Sequence, residues 1–132
     1  MSAVHWMLIT VVFSAAVWLP YVVERVVSRG LWSALDNPPA DPPPAAGWAK
    51  RLAAAHRNAV ENVPFFAAAV LGAAALGSAD DATIVLCAQV YFASRVLYTL
   101  IYAAGIPVLR TLSFFTGWLA LVAIVGLSLG AS

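Results

Sequence analysis

The chain has 132 residues, of which 63% are hydrophobic and only 10% charged, with a mean hydropathy of +0.89. A water-soluble domain carries about 25% charged residues and could not hide this much apolar surface, so a soluble fold is excluded. Seven Lys/Arg against six Asp/Glu leave a net charge of +1, which supplies no basic stripe for nucleic acid.

Four apolar segments follow one another, each near the roughly 20 residues that cross about 30 Å of hydrocarbon at about 1.5 Å per residue. The first covers about 4–27 and predicts a helix with a kink near Pro20. No basic segment precedes it and no small-residue cleavage site stands before Glu24, so it reads as a span rather than a signal peptide. A loop over about 30–46 follows, and its five prolines between Asn37 and Pro44 predict an extended, exposed connection. The second helix covers about 47–76, polar at Lys50 and Arg51 and wholly apolar after Pro64. Ser78, Asp80 and Asp81 form a solvated turn that caps a third helix at about 81–104. Cys87, the single cysteine, lies in its apolar run and reads as a small buried hydrophobe. Pro107 opens a fourth helix at about 107–129, in which Gly117 and Gly126 suit close helix packing.

The short connections near 77–80 and 105–106 force antiparallel neighbours. The expected fold is all-α, an integral membrane four-helix bundle forming one domain over residues 1–132. Arg25, Arg29, Lys50, Arg51 and Arg57 flank the first loop and Arg110 the third, while the termini and the second loop hold no Lys or Arg. The positive-inside rule then predicts a cytoplasmic Pro-rich loop and non-cytoplasmic termini. Trp6, Trp18, Trp32, Trp48 and Trp118 read mostly as an interfacial aromatic belt.

Chemistry concentrates on the second and third helices. At about 100° per residue, Arg51, Asn58 and Glu61 share an arc of roughly 80°, with His56 and Arg57 on its flanks. Tyr91, Arg95, Tyr98 and Tyr102 form a polar stripe roughly 60° wide, and Arg95 falls near the bilayer midplane, where an unpaired guanidinium costs roughly 2.5–3.5 kcal/mol. The depths suggest a pair between Arg95 and Glu61. One carboxylate cannot balance Arg51, Arg57, Arg95 and Arg110, and the surplus predicts an anionic ligand from the cytoplasm in a hollow that Arg57, Arg95 and Arg110 share. His56 could act as a base, with a role in helix packing preferred.

The run Ala55-His56-Arg57-Asn58-Ala59-Val60-Glu61-Asn62-Val63-Pro64-Phe65 resembles the second-helix signature of the MAPEG family, membrane-associated proteins of eicosanoid and glutathione metabolism. Arg95, Tyr98 and Tyr102 on the third helix and Pro107, Arg110 and Thr111 opening the fourth are similar to that family's pattern too. The resemblance is to bacterial-type members and extends over essentially the whole chain. It implies a homotrimer in a bacterial inner membrane, with glutathione bound between neighbouring subunits as cosubstrate and a lipophilic partner arriving through the bilayer lipids.

By that resemblance Asn58 and Glu61 hold the peptide part of glutathione, Arg57 a carboxylate, and Arg95, Tyr98 and Tyr102 line the same site. Arg110, with Thr111 or a tyrosine nearby, would stabilise the thiolate, and either Arg25 or Arg29 matches a first-helix arginine. Many glutathione-using members carry arginine four residues before the asparagine; this chain has Ala54 there, and Arg51 stands nearly one turn earlier as its substitute. The implied activity is that of a glutathione transferase or peroxidase, with no metal. The alternative is a non-catalytic scaffold or lipid-binding trimer in which the polar network serves assembly alone.

Overall fold

The computed structural model describes residues 1–37 and 45–130; the prolines expected to extend the first loop lie outside them. Among the described residues every regular element is a helix: α1 (Ala3–Ala16), α2 (Trp18–Arg29), α3 (Leu31–Leu35), α4 (Gly47–Ala75), α5 (Ala82–Ala104) and α6 (Pro107–Gly130). Four stretches are long and apolar enough to cross a membrane, namely Ala3–Arg29, which joins α1 and α2, and the helices α4, α5 and α6. The protein is an integral membrane four-helix bundle.

The first span departs from expectation at its middle. It gives way at Val17 between α1 and α2 rather than at Pro20. A proline ring collides with the carbonyl four residues earlier, here that of Ala16, so the helix yields just after that residue. Pro20 itself sits in the first turn of α2, where a missing N–H leaves no helical bond unmade. Residues 31–35, expected as loop, form the short helix α3 after Gly30, whose φ of 82° lets the chain turn. Pro64 stands inside α4, which continues through it.

α5 begins on a cap that the sequence announces: Asp81 Oδ1 accepts from the backbone N–H groups of Thr83 at 2.8 Å and Ile84 at 3.2 Å. It ends at Gly105, in the left-handed region at φ 82°, whose N–H returns to the Ile101 and Tyr102 carbonyls while the Ile106 N–H bonds to Ile101. Pro107 then opens α6, and α5 and α6 become the most extensively packed pair.

The core joins Ala3 and Met7 of α1, Phe66, Val70 and Ala73 of α4, Ile84, Ala88 and Tyr91 of α5, and Ala120 and Ile124 of α6. Small residues recur because helices in lipid associate by close van der Waals contact rather than by expelling water. The Ala3 N–H bonds to the Ala79 carbonyl at 3.0 Å and fastens the start of α1 to the α4–α5 turn. Gly117 is where α6 meets α5: a Cβ there would lie 2.8 Å from Arg95 Nη2. Gly126 makes no such approach, since nothing comes within 4 Å of its Cβ position; the expectation of close packing holds at the first glycine and not within this chain at the second.

Candidate functional site

Arg95 is the most deeply enclosed cation, 2% exposed on the inner face of α5. Its guanidinium donates from Nη1 to Asn58 Oδ1 at 3.3 Å and from Nη2 to the Phe114 carbonyl at 3.3 Å. Its Cζ stands 4.9 Å from the Tyr91 ring centroid, 5.7 Å from that of Tyr98 and 4.9 Å from that of Phe114. Ring faces attract a desolvated cation, so aromatic quadrupoles and neutral oxygens hold this charge in place of a carboxylate. Nε is buried with no hydrogen-bond partner.

The expected pair with Glu61 is not formed: among the described residues no ion pair joins the two, and Glu61 is exposed. Helix geometry gives the reason. The inward stripe of α4 runs through Ala55, Ala59 and Phe66, and Glu61 lies about 140° round the helix from Phe66, whereas Asn58 lies only about 60° from Ala55. Asn58 is the α4 side chain that can reach an inward guanidinium.

Tyr91 stacks on Phe66 of α4 with ring centroids 3.8 Å apart and planes 6° from parallel, and its hydroxyl donates to the Asn62 carbonyl at 3.4 Å. Phe66, Tyr91 and Arg95 thereby tie α4 to α5 through one aromatic stack and one cation. Neither Phe66 nor Phe114 stood out in the sequence, since a phenylalanine in an apolar run carries no signal of what its ring faces.

Arg110 extends the cluster toward the start of α6. Its Cζ lies 4.4 Å from the Tyr102 ring centroid, and Tyr102 meets Tyr98 edge to face at 5.5 Å. Tyr98 links the two arginines: Arg95 lies over its ring, and Tyr102, which carries Arg110, meets its edge. The Thr111 hydroxyl donates to the Pro107 carbonyl of its own helix at 3.1 Å, so it satisfies backbone rather than facing this group.

Two of the arginines expected here stand elsewhere. Arg51 donates from Nε to the Ala103 carbonyl at 2.9 Å, answering an unpaired carbonyl at the negative end of α5. Its guanidinium is close enough that a Cβ on Gly105 would fall 3.1 Å from Nε. Arg57 lines a hollow of 270 Å³ between α2 and α4, with Tyr21, Glu24, Arg25, Ala45, Ala49, Lys50 and Ala53. Consecutive helical residues point about 100° apart, so Arg57 diverges from Asn58. The hollow expected to be shared by Arg57, Arg95 and Arg110 is therefore divided: Arg95 and Arg110 meet around Tyr98, and Arg57 belongs to the α2 side. His56 takes a packing role there, its Nδ1 2.8 Å from the Tyr21 hydroxyl.

What remains is a cationic, tyrosine-rich cluster in the bundle, built on Arg95 and Arg110 with Tyr91, Tyr98 and Tyr102, and among the described residues no ion pair ties either arginine to a carboxylate. No curated protein matches the chain. The sequence model of one protein family, described as the MAPEG family, matches residues 4–130.

Proposed function

The chain belongs to the MAPEG family, a glutathione-associated family of membrane proteins, and on that premise we propose that it is a membrane-bound glutathione-dependent transferase or peroxidase acting on lipophilic electrophiles or lipid hydroperoxides. The observation that carries this reading is Arg95, a guanidinium enclosed in a membrane span which, among the described residues, has no carboxylate on it and no partner for its Nε. A buried cation balanced only by neutral groups favours an incoming anion, and the carboxylates and thiolate of glutathione are of that kind.

In this reading Arg95 and Asn58 hold the tripeptide, Tyr98 and Tyr102 line its path, and Glu61 meets its amino group. Arg110, lying against the Tyr102 ring, stabilises the negative sulfur. Bound glutathione supplies a thiolate nucleophile for attack on carbon or on a peroxide oxygen. A thiol of pKa about 8.5 is only a few per cent ionised at neutral pH, and lowering it by about two units corresponds to roughly 2.7 kcal/mol. Excluding water from the cluster strengthens the arginine fields that do this.

The bilayer dissolves the second substrate and the cytosol delivers the first, so a site at a helix interface brings the two together. Outward-facing Leu97, Leu100 and Leu119, each more than half exposed, suit lipid or neighbouring copies of the chain, and we assign a homotrimer in a bacterial inner membrane with non-cytoplasmic termini.

Calorimetry of the purified protein with millimolar glutathione, read beside the ultraviolet absorbance of thiolate, tests the proposal. Heat together with a thiolate band is expected. Neither signal from an intact oligomer would favour a non-catalytic scaffold, and one observation speaks for that second reading: Arg51, the substitute for the arginine that Ala54 lacks, is already engaged by the Ala103 carbonyl.

A further inference from the structure

The break at Val17 leaves a space that the chemistry just described does not use. α1 packs against both α4 and α5, whereas past the break α2 keeps chiefly to α4, so the first span draws away from α5 partway across the membrane. The gap is a hollow of 370 Å³ bounded by Phe13 and Val17, by Pro20 after the break, by Leu52 of α4, and by Leu100 and Ala103 of α5. Close-packed interiors leave few voids larger than a water molecule, and this one is many times larger.

Its walls exclude water. Thr99 is the one polar side chain among the described lining residues, and its hydroxyl turns back to donate to the Arg95 carbonyl at 2.9 Å. The Ala103 carbonyl is taken by Arg51 Nε at 2.9 Å. Phe13 meets Phe92 edge to face at 5.9 Å, which holds its ring in the wall. An apolar hollow that offers water no hydrogen bonds stays dry, and left empty its lining loses dispersion contacts on one side.

The direction of the opening names what fills it. The exposed charges of α4 point away: Glu61 lies about 180° round the helix from Leu52 and Arg57 about 140°. On the rim Leu100 is 62% exposed, with Ala16 and Pro20 exposed across from it. Residues 13–20 and 99–103 fall inside the membrane spans Ala3–Arg29 and Ala82–Ala104, so this uncharged rim stands against hydrocarbon, and the hydrocarbon of a bilayer is acyl chain.

We infer that the hollow binds one acyl chain of a bilayer phospholipid, laid into the notch where α2 leaves α5. Contact is by dispersion and apolar burial alone, so the headgroup is not selected.

Photolysis of the intact oligomer in nanodiscs, with phosphatidylcholine carrying a diazirine in one acyl chain and adducts placed by peptide mass spectrometry, tests this. Glutathione takes no part in the labelling. Residues 13–20 and 99–103 should be labelled severalfold more heavily than Val12 and Leu97, which are exposed on the same two helices but do not line the hollow. Ala16→Phe and, separately, Ala103→Leu should fill the space and bring its labelling down to that of Val12 and Leu97, without lowering the melting temperature in detergent. A phosphatidylglycerol probe should label as phosphatidylcholine does. Even labelling of all four helices would mean ordinary solvent lipid and overturn the proposal, as would an excess that survives both substitutions. An unlabelled hollow would mean that a neighbouring copy covers it, and a strong preference for one headgroup would overturn an acyl-chain site.

Discussion

Asn58 on α4 offers its Oδ1 to Arg95 on α5 across 3.3 Å, and this one hydrogen bond sets a neutral amide where a carboxylate would ordinarily meet a buried guanidinium. The charge is stabilised without being neutralised. Removing the charge and removing its acceptor should then have unequal consequences.

Arg95→Met takes away a costly buried charge and fills its volume with a flexible apolar chain, so stability should change by no more than about 1 kcal/mol. Asn58→Ala leaves the guanidinium under-bonded and should cost about 1–3 kcal/mol. Thermal unfolding of both variants in one detergent checks the order, and a reversal would mean that Arg95 is held by something other than the groups around it. Glutathione binding should vanish in Arg95→Met even though its fold persists.

Arg110→Ala should abolish the thiolate absorbance of bound glutathione while the oligomer, followed by size-exclusion with light scattering, stays unchanged. The expected loss corresponds to roughly 2.7 kcal/mol of thiolate stabilisation, about two pKa units. A variant that keeps the full band would take Arg110 out of the mechanism.

Gly117→Ala places a methyl 2.8 Å from Arg95 Nη2 and against Ser94, forcing α5 and α6 apart. Overpacking of this kind costs about 1–3 kcal/mol. Gly126→Ala meets nothing within 4 Å and should leave the melting temperature unchanged or slightly raised, because alanine is the better helix former. Equal losses at both positions would show that Gly126 is also a packing contact, one made with another copy of the chain.

Gly105→Ala combines a left-handed backbone at φ 82° with a Cβ 3.1 Å from Arg51 Nε. The backbone alone costs about 1–2 kcal/mol, and displacing Arg51 would expose the Ala103 carbonyl it bonds. Denaturant unfolding should show a loss larger than that of Arg51→Ala, which removes the guanidinium but keeps the turn.

Asp81→Ala should cost about 1 kcal/mol through loss of its cap on α5, and Asp80→Ala almost nothing. The two acids are adjacent, yet only Asp81 receives backbone donors. Matched melting temperatures for the two variants would contradict that assignment.

How far the sequence could be read follows from which residues signal by type and which by direction. Hydropathy and the Gly105–Pro107 and Ser78–Asp81 punctuation marked the spans because the bilayer fixes helix length and the turns need particular backbones. Arg95 declared itself by depth alone. Its partner did not: Glu61 has the right charge and the wrong side of α4, and a shared arc of 80° is too coarse to separate a side chain facing α5 from one facing outward. Arginine adds to this, since its length lets Arg51 reach the end of α5 and Arg57 lean toward α2 from neighbouring turns of one helix. Pro20 marked a disturbance without its location, because the ring acts on the carbonyl four residues back. α3 left no trace, five residues being too few for a helical period to show.

The interruption at Val17 divides one membrane crossing into two parts with different obligations. α1 places Ala3, Met7, Thr10 and Ser14 inside the bundle, so its composition is constrained by neighbours on several sides. α2 has no fully buried residue and meets the bundle on one side only, where the Tyr21 hydroxyl joins His56 of α4. A substitution on the outer side of the second part should therefore disturb folding less than one among the inward residues of the first, the half that supports Phe66, Tyr91 and Arg95.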